Sequence, residues 1–467
     1  MVHKLIHWAV DSPLIVLLLA GALIFVGSYA FIHVNVEAYP DPAPAIVEVI
    51  AKFPGASAEE VERQVTIPLE VSLAGMPGLK YTRSKSLFGL SHLRNQFEYG
   101  IDFYKARQEV INRLQFVDDL PDGVEPAISP QSPTGEILRY TLRNAADPLG
   151  NEIYSLNDLK ALQDWVLERQ FRRVPRIIDI VSSGGTVKRY EIHPDPERLV
   201  RYGITLDQLQ KAVSESNSNV GGDYLAHGDN MLNVRGIGLI GEGLDPTKAD
   251  PVLQAVDPAD AADYLRSEEE RRLQRIRQTV ITAVNSIPIR VEDVVDGGPL
   301  PHGDEVGRRG VVVGNQSRLG KISLSRPLKD AHGEDVRKNG ERVWVDEPEK
   351  VQGIVLLRKG EHSLPALHDL GEKIDELNKA PGRVLPGVRI EPYYDRKDLI
   401  AVTTETVQEN LILGMALVTM VLLMFLSNVR SALIVAVNIP LALLFAFAVL
   451  YSRGLSANLL SIGAVDF

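Results

Sequence analysis

The residues best placed to do chemistry lie near the two ends of the chain. Asp466 is a lone carboxylate in an apolar stretch that follows the turn Arg453-Gly454-Leu455-Ser456. A charge in lipid costs on the order of 3 kcal/mol, so intramembrane carboxylates mark functional sites. If that stretch enters a membrane near Leu459, Asp466 lies about seven residues, or ~10 Å, inside a core of ~30 Å. Burial favours its protonated form and a neighbouring cation its ionised form. A group held between the two can take a proton from one side and release it to the other. The competing reading is an Asp placed by the dipole at a helix N-terminus.

Other candidates carry less. Glu37 and Asp41 could line an entrance, or, with Pro40 and Pro42, form a rigid elbow leaving the membrane. Met415, Met420 and Met424 would suit soft copper(I) or silver(I). Only Met420 and Met424 share a helix face, Met415 being about 100–140° away, so packing is preferred. His227 with Asp229 and His302 with Asp304 have zinc-type donors, but they fall in expected loops and read as solvated pairs. No metal ligand is therefore assigned. Zero cysteines exclude disulfides, thiolate metal sites and a cysteine nucleophile. There is no phosphate-binding G-x-x-x-x-G-K-[ST] loop, no G-x-S-x-G elbow and no zinc-protease helix. No cofactor is expected, and nothing marks the chain as an enzyme.

The elements that position these residues are spread over 467 residues, enough for three ordinary domains. The net charge of −11 argues against nucleic acid as the main partner. Apolar residues gather at the ends. Pro13–Ile32 is free of charge and long enough to span a bilayer; a signal peptide with Lys4 as its n-region and Ser28-Tyr29-Ala30 as its cleavage site is the alternative. Leu411–Leu426 and Ala432–Tyr451 are further apolar runs, separated by Ser427-Asn428-Val429-Arg430. Pro440, two residues after Asn438, should kink the last of these and free a carbonyl. Asn438 then bonds that carbonyl or faces the helix of Asp466, and the structural role is preferred. Lys4 and Arg430 give a positive-inside signal, which Arg453 weakens; parity puts His33 to about Asp398 outside the cytoplasm.

The outer region reads as strand Ala45–Phe53, a helix headed by the capping pair Ser57 and Glu60, strands Lys80–Ser86 and Ser91–Tyr99, helix Asp102–Phe116 and strand Ile137–Leu142. This is the split βαβ order of a ferredoxin-like unit. A second copy uses Leu138–Arg143, helix Leu156–Phe171 and strand Ile177–Ser182, then resumes with Gln352–Leu357, helix Ser363–Leu377 and Val388–Tyr393. Between its halves lies an insertion with helix Thr205–Ser214, a bend at Gly221-Gly222, strand Met231–Gly236, charged helix Ala261–Gln278 and strand Ile289–Val294. The alternating charges of Glu268–Arg272 suggest a solvated face.

Particular blocks are more telling. In order they are Glu37-Ala38-Tyr39-Pro40-Asp41, then Pro54-Gly55 with Pro68-Leu69-Glu70, then Arg83-Ser84-Lys85-Ser86, Gly89-Leu90-Ser91, Gly100-Ile101-Asp102 and Tyr104-Lys105-Ala106-Arg107-Gln108. Asn219-Val220-Gly221-Gly222 with Arg235-Gly236 and Tyr394-Asp395-Arg396 with Leu399-Ile400 follow. The last are Asn428-Val429-Arg430-Ser431-Ala432-Leu433-Ile434 with Ile439-Pro440-Leu441, and Ser456-Ala457-Asn458-Leu459 with Gly463-Ala464-Val465-Asp466-Phe467. From Glu37 to Phe467 the chain resembles the resistance–nodulation–division (RND) permeases, and among them the heavy-metal efflux branch typified by cobalt–zinc–cadmium pumps.

The resemblance implies an α+β membrane protein of the inner membrane, with transmembrane helices, a large periplasmic region of ferredoxin-like porter units and an inserted docking domain. Its parts are a cytoplasmic start (1–12), a first span (13–33), a first porter subdomain (34–135), two halves of a second (136–183 and 351–398) around the docking domain (184–350), spans at 399–427 and 431–452, and the start of a fourth at 457–467. It further implies proton-driven export of divalent cations such as zinc, cobalt or cadmium by a homotrimer. A periplasmic adaptor (membrane fusion) protein and an outer-membrane channel would be its partners, membrane lipid its surroundings, and Asp466 the first relay carboxylate. On this expectation the chain is the N-terminal part of the pump, the remaining relay carboxylates follow Phe467, and alone it should not pump. Export of organic compounds or lipids, and a non-transporting membrane scaffold, are the alternatives. Two departures stand out: Gly241–Leu273 and Gly297–Lys350 are longer or more charged than expected, and Val174-Pro175-Arg176 replaces the usual Val-Pro-Gly.

Overall fold

Ser57 and Glu60 cap each other's backbone, at 2.7 Å from Ser57 N–H to Glu60 Oε2 and 3.3 Å from Glu60 N–H to Ser57 Oγ, and so start the first outer helix where the sequence says. The computed structural model describes residues 2–34, 36–37, 44–117, 119–129, 135–228, 230–236, 238–240, 257–299, 310–316, 320–330, 333–379, 384–426, 429–454 and 457–458. The helix runs Ala58–Val61, widens into a π-turn at Glu62–Thr66, and continues as Ile67–Leu73. Pro68 lacks an N–H and its ring would strike the carbonyl four residues back in a regular helix, and the wider turn directly before it relieves that clash. Together with helix Phe103–Leu114, capped by Asp102, it covers a four-stranded sheet.

That sheet has the spatial order Leu79–Leu87, Leu90–Phe97, Ile46–Lys52, Pro126–Ile128, with every pairing antiparallel. Numbered along the unit the order is 2-3-1-4, or 4-1-3-2 from the other edge, the ferredoxin-like arrangement. Leu90–Phe97 alternates between buried and half-buried, which puts Leu93 and Phe97 into the core with Val47, Val49, Val61, Val65 and Leu69. One expectation fails here. Ile137–Leu142, read as the closing strand, belongs to the other sheet, and the strand that closes this one is Pro126–Ile128. Three residues beginning with proline carry too little alternation to announce a strand.

The second sheet repeats the topology across a long gap. Its spatial order is Arg389–Asp395, Glu136–Arg143, Val351–Leu357, Ile177–Gly184, again antiparallel throughout and again 4-1-3-2 along the unit. Val351–Leu357 is buried at every residue, as a central strand covered on both faces must be. Leu159, Leu167 and Phe171 from one helix, and Leu367, Leu370 and Ile374 from Ser363–Lys379, join its core. Tyr140, fully buried, crosses directly opposite Gly353 and donates to Gln163 Oε1 at 3.0 Å.

The inserted residues form a separate core of Ile204, Leu209, Leu273, Ile276, Val291 and Val311. Strand Lys188–Ile192 pairs with Val311–Asn315, and helix Pro258–Arg277 lies across them. Three readings are corrected. Gly221-Gly222 is part of strand Val220–His227, which makes a hairpin with Asn230–Gly236. The expected strand at Ile289–Val294 is a strand only to Arg290; Val291–Val294 is a helical turn that buries Val291 and Val294. Glu268 is buried rather than solvated, and further along the helix Arg277 is buried too, its guanidinium 2.9 Å from the Val311 carbonyl and 3.3 Å from Glu270. The helix lies on strand Val311–Asn315, so one face of its charge pattern is turned inward.

Helices Pro13–His33, Arg396–Leu426 and Val429–Ser452 carry the apolar ends of the chain. Among the described residues Pro13–His33 is the one helix long and apolar enough to cross a membrane by length and composition; Ile412–Phe425 and Pro440–Ser452 are shorter apolar stretches.

Candidate functional site

The first and last of these helices pack together at a glycine. A Cβ on Gly27 would lie 2.6 Å from Leu444 Cβ and 2.8 Å from the Leu444 carbonyl oxygen, so only a residue without one permits this approach. Small residues at such crossings let helix backbones meet. Towards the sheet units the contact continues through aromatic pairs: Phe31 stands edge-on to Phe447 at 5.0 Å, and Tyr29 edge-on to Tyr451 at 5.9 Å. Ala30, Val34, Phe447 and Ala457 form a buried cluster at this end.

Here the apolar helices meet the sheet units. Val36–Glu37 pairs in parallel with Ala457–Asn458. Both oxygens of the Glu37 carboxylate accept from Ser363, one from its backbone N–H at 2.9 Å and the other from its hydroxyl. Ser363 is buried and opens helix Ser363–Lys379 of the second unit. Sequence reasoning pairs Glu37 with Asp41 and gives no sign of Ser363, because no pattern links residues 326 positions apart. The missed crossing at Gly27 did have a signal, the small residues of Gly27-Ser28-Tyr29-Ala30.

Asp466 and Asp41 lie outside the described residues, as do His302 with Asp304, and Asp229. Asp466 follows Asn458 by eight positions in the sequence. Asn438 is exposed, and its amide donates to the Ile434 carbonyl at 3.2 Å. Pro440, having no N–H, leaves the carbonyl of Ala436, four residues back, without its helical donor, so Asn438 bonds a different carbonyl from the one Pro440 frees. Met420 and Met424 are both exposed on helix Arg396–Leu426. Among the described residues there is no group of three or more His, Asp or Glu able to hold a metal ion.

Electrostatics ties the insertion to the second sheet. Glu391 on the sheet receives Arg143 at 3.1 Å and Arg326 of the insertion at 3.0 Å; Arg326 also meets Glu347 at 2.6 Å. Burial pushes the Glu391 carboxyl up, but the bonds from Arg326 and Arg143 outweigh it and hold it below the ordinary range. Arg176, the residue in the usual glycine position, has φ +71° and is held by Asp369 at 3.1 Å and Glu361 at 3.8 Å. A cavity of about 580 Å³ at the junction is lined by Lys52, Lys160 and Lys321 with Ser182 and Ser183. Three ammonium groups make it the wrong sign for a metal cation. In a second, of about 300 Å³, the carboxylates Asp158 and Glu269 already face Lys188.

The architecture is thus two split sheets of the same strand order, one carrying an insertion, together with packed apolar helices. The chain matches the AcrB/AcrD/AcrF family over residues 5–294 and 333–467, and it belongs to that family, the RND permeases. Its similarity is to the heavy-metal efflux branch. It is 33% identical over 472 residues to the cobalt-zinc-cadmium resistance protein CzcA of Cupriavidus metallidurans, covering 100% of this chain and 38% of that protein. It is 30% identical over 468 residues to the cation efflux system protein CusA of Escherichia coli K12, with the same coverage of 100% and 38%. A crystal structure of a heavy metal efflux pump superposes with TM-score 0.74 at 33% identity, over 99% of this chain and 39% of that one. The chain thus spans under two-fifths of the length of these relatives.

Proposed function

We infer that this chain works as part of a proton-driven exporter of divalent heavy-metal cations in a cell inner membrane. The observation that carries the reading is the pair of 4-1-3-2 sheets joined to helices that pack at Gly27 and Leu444. The names of the relatives, which speak of cobalt, zinc and cadmium resistance and of cation efflux, supply the cargo class. In this reading Pro13–His33, Arg396–Leu426 and Val429–Ser452 all cross the membrane, and the two sheets with their insertion lie in the periplasm as porter subdomains and docking domain. The pump is a homotrimer that works with a periplasmic adaptor and an outer-membrane channel.

Asp466 carries the relay. Eight residues beyond Asn458 in the sequence, it takes a proton from the outer side and releases it inward. Asn438 and Pro440 shape the neighbouring helix. Glu37 and Asp41 follow the first span in the sequence and are the candidate entrance residues, with Ser363 engaging the Glu37 carboxylate. Proteoliposomes holding the full-length protein test the reading: added Zn²⁺ should drive proton movement, which Asp466→Asn should abolish while leaving expression and trimer assembly intact. Proton movement that responds to organic compounds or lipids and ignores Zn²⁺ would replace the cargo.

A further inference from the structure

Glu37 sits where three parts of the chain meet. Val36–Glu37 leaves the first apolar helix and runs beside Ala457–Asn458, with Val36 opposite Ala457 and Glu37 opposite Asn458. Ala457 is fully buried with Ala30, Val34 and Phe447, so this short ladder is packed onto the helix pair. On its other side the Glu37 carboxylate takes both the N–H, at 2.9 Å, and the hydroxyl of Ser363. Ser363 opens a helix whose Ala366, Leu367, Leu370 and Ile374 are embedded in the second unit. A carboxylate at a helix's first N–H satisfies an orphan donor and complements the dipole. Bonds to an ionised acceptor are also about twice as strong as neutral ones. The contact is therefore stiff at both ends. One end is a ladder packed on the helix pair, and the other is a helix embedded in the core of the second sheet.

We propose that Glu37 is a positioning residue that couples the helix pair crossing at Gly27 to the second unit. A displacement of the helix pair moves the ladder packed on it, and Glu37 passes the movement to the first turn of helix Ser363–Lys379. The proposal rests on the transport reading above. A plain helix cap would hold Ser363 alone. A coupling residue also holds the ladder, and its loss uncouples proton movement from cargo movement without touching cargo affinity.

The experiment compares the full-length wild type with Glu37→Ala and Glu37→Gln. In proteoliposomes with Zn²⁺ and a pH-sensitive dye, Glu37→Ala should lower the maximal transport rate at least about tenfold with KM for Zn²⁺ within about twofold. Glu37→Gln keeps one acceptor oxygen for the Ser363 N–H and should fall between the two. Hydrogen–deuterium exchange of the same proteins, without cargo, should show faster exchange in Glu37→Ala at both Ser363–Leu367 and Ala457–Asn458. Acceleration at the helix turn alone would overturn the coupling and leave a cap. Wild-type transport by Glu37→Ala would overturn it as well, and so would a rise in KM at unchanged maximal rate. If the wild type itself moves no protons in response to Zn²⁺, the transport reading has failed. The exchange data then decide the junction on their own: joint acceleration upholds it and helix-only acceleration rejects it.

Discussion

Replacing Gly353 by alanine should be among the most damaging single-methyl changes in the outer region. Gly353 lies in the fully buried strand Val351–Leu357, directly opposite Tyr140. A Cβ there would sit 2.7 Å from Tyr140 Cε1 and closer still to Cζ and Oη. Ordinary carbon contacts begin at about 3.5 Å, so the ring would have to retreat by roughly 1 Å. It has nowhere to go: Tyr140 is fully buried, its ring centroid is 5.2 Å from that of Phe171, and its hydroxyl is tied to Gln163. Overpacking of this kind costs about 2–3 kcal/mol. At roughly 2–4 °C per kcal/mol for a domain of this size, the melting temperature should fall by about 4–12 °C. Near-UV circular dichroism of the detergent-solubilised chain would follow it. The cause is separable by a double-mutant cycle. With Tyr140→Ala already present, adding Gly353→Ala should cost less than about 0.5 kcal/mol, or even stabilise, because the ring is gone. An equal penalty in both backgrounds would refute the packing argument.

Gly27→Ala should separate the first and third apolar helices by about 1 Å and cost about 1–3 kcal/mol, since the obstacle includes the Leu444 carbonyl at 2.8 Å and not only a side chain. Its thermal transition in detergent should fall while hydrogen exchange in the two outer sheets stays at wild-type rates. Arg176→Gly should exceed Arg176→Ala in stability by about 1 kcal/mol. Only glycine relieves φ +71°, both variants lose the half-exposed pairs to Asp369 and Glu361, and urea midpoints would rank them. Glu391→Gln should destabilise at neutral pH and cease to matter in acid. The folded carboxyl lies below its ordinary value, so its contribution is present above the unfolded pKa of about 4.3 and is lost as pH falls through the folded one. Unfolding midpoints of wild type and variant should converge below about pH 4; a constant gap would remove Arg143 and Arg326 as the cause.

Much of the fold was legible because local signals agreed with it. Ser57 and Glu60 name a helix start, and the alternation of Ser91–Phe97 names a half-buried strand. Val351–Leu357 is apolar enough to be recognised as the partner of a sheet begun more than 160 residues earlier. What escaped depended on tertiary context. Pro126–Ile128 is held as a strand by Val49 and Ala51 across the sheet, not by any pattern of its own. Ile289–Val294 looks extended because Ile289, Val291 and Val294 are β-branched, yet Val291–Val294 turns helical where Asp293 accepts the Arg290 N–H at 2.7 Å. The insertion's charged helix hides an inward face that only strand Val311–Asn315 reveals. At the site, the sequence marked Glu37 as a carboxylate of interest and gave no sign of Ser363. Arg176 shows the reverse: the expectation of a glycine at this position came from the sequence, and the structure gives the residue a left-handed backbone, which glycine adopts most readily.

The central claim is that cation movement is driven by protons passing through Asp466. Its most direct test is Zn²⁺-dependent proton flux in proteoliposomes containing the full-length protein, measured for wild type and Asp466→Asn at matched protein levels. Zn²⁺-dependent flux in the wild type that falls to the empty-vesicle background in Asp466→Asn is the predicted result. Flux retained by Asp466→Asn at the wild-type rate would contradict the claim.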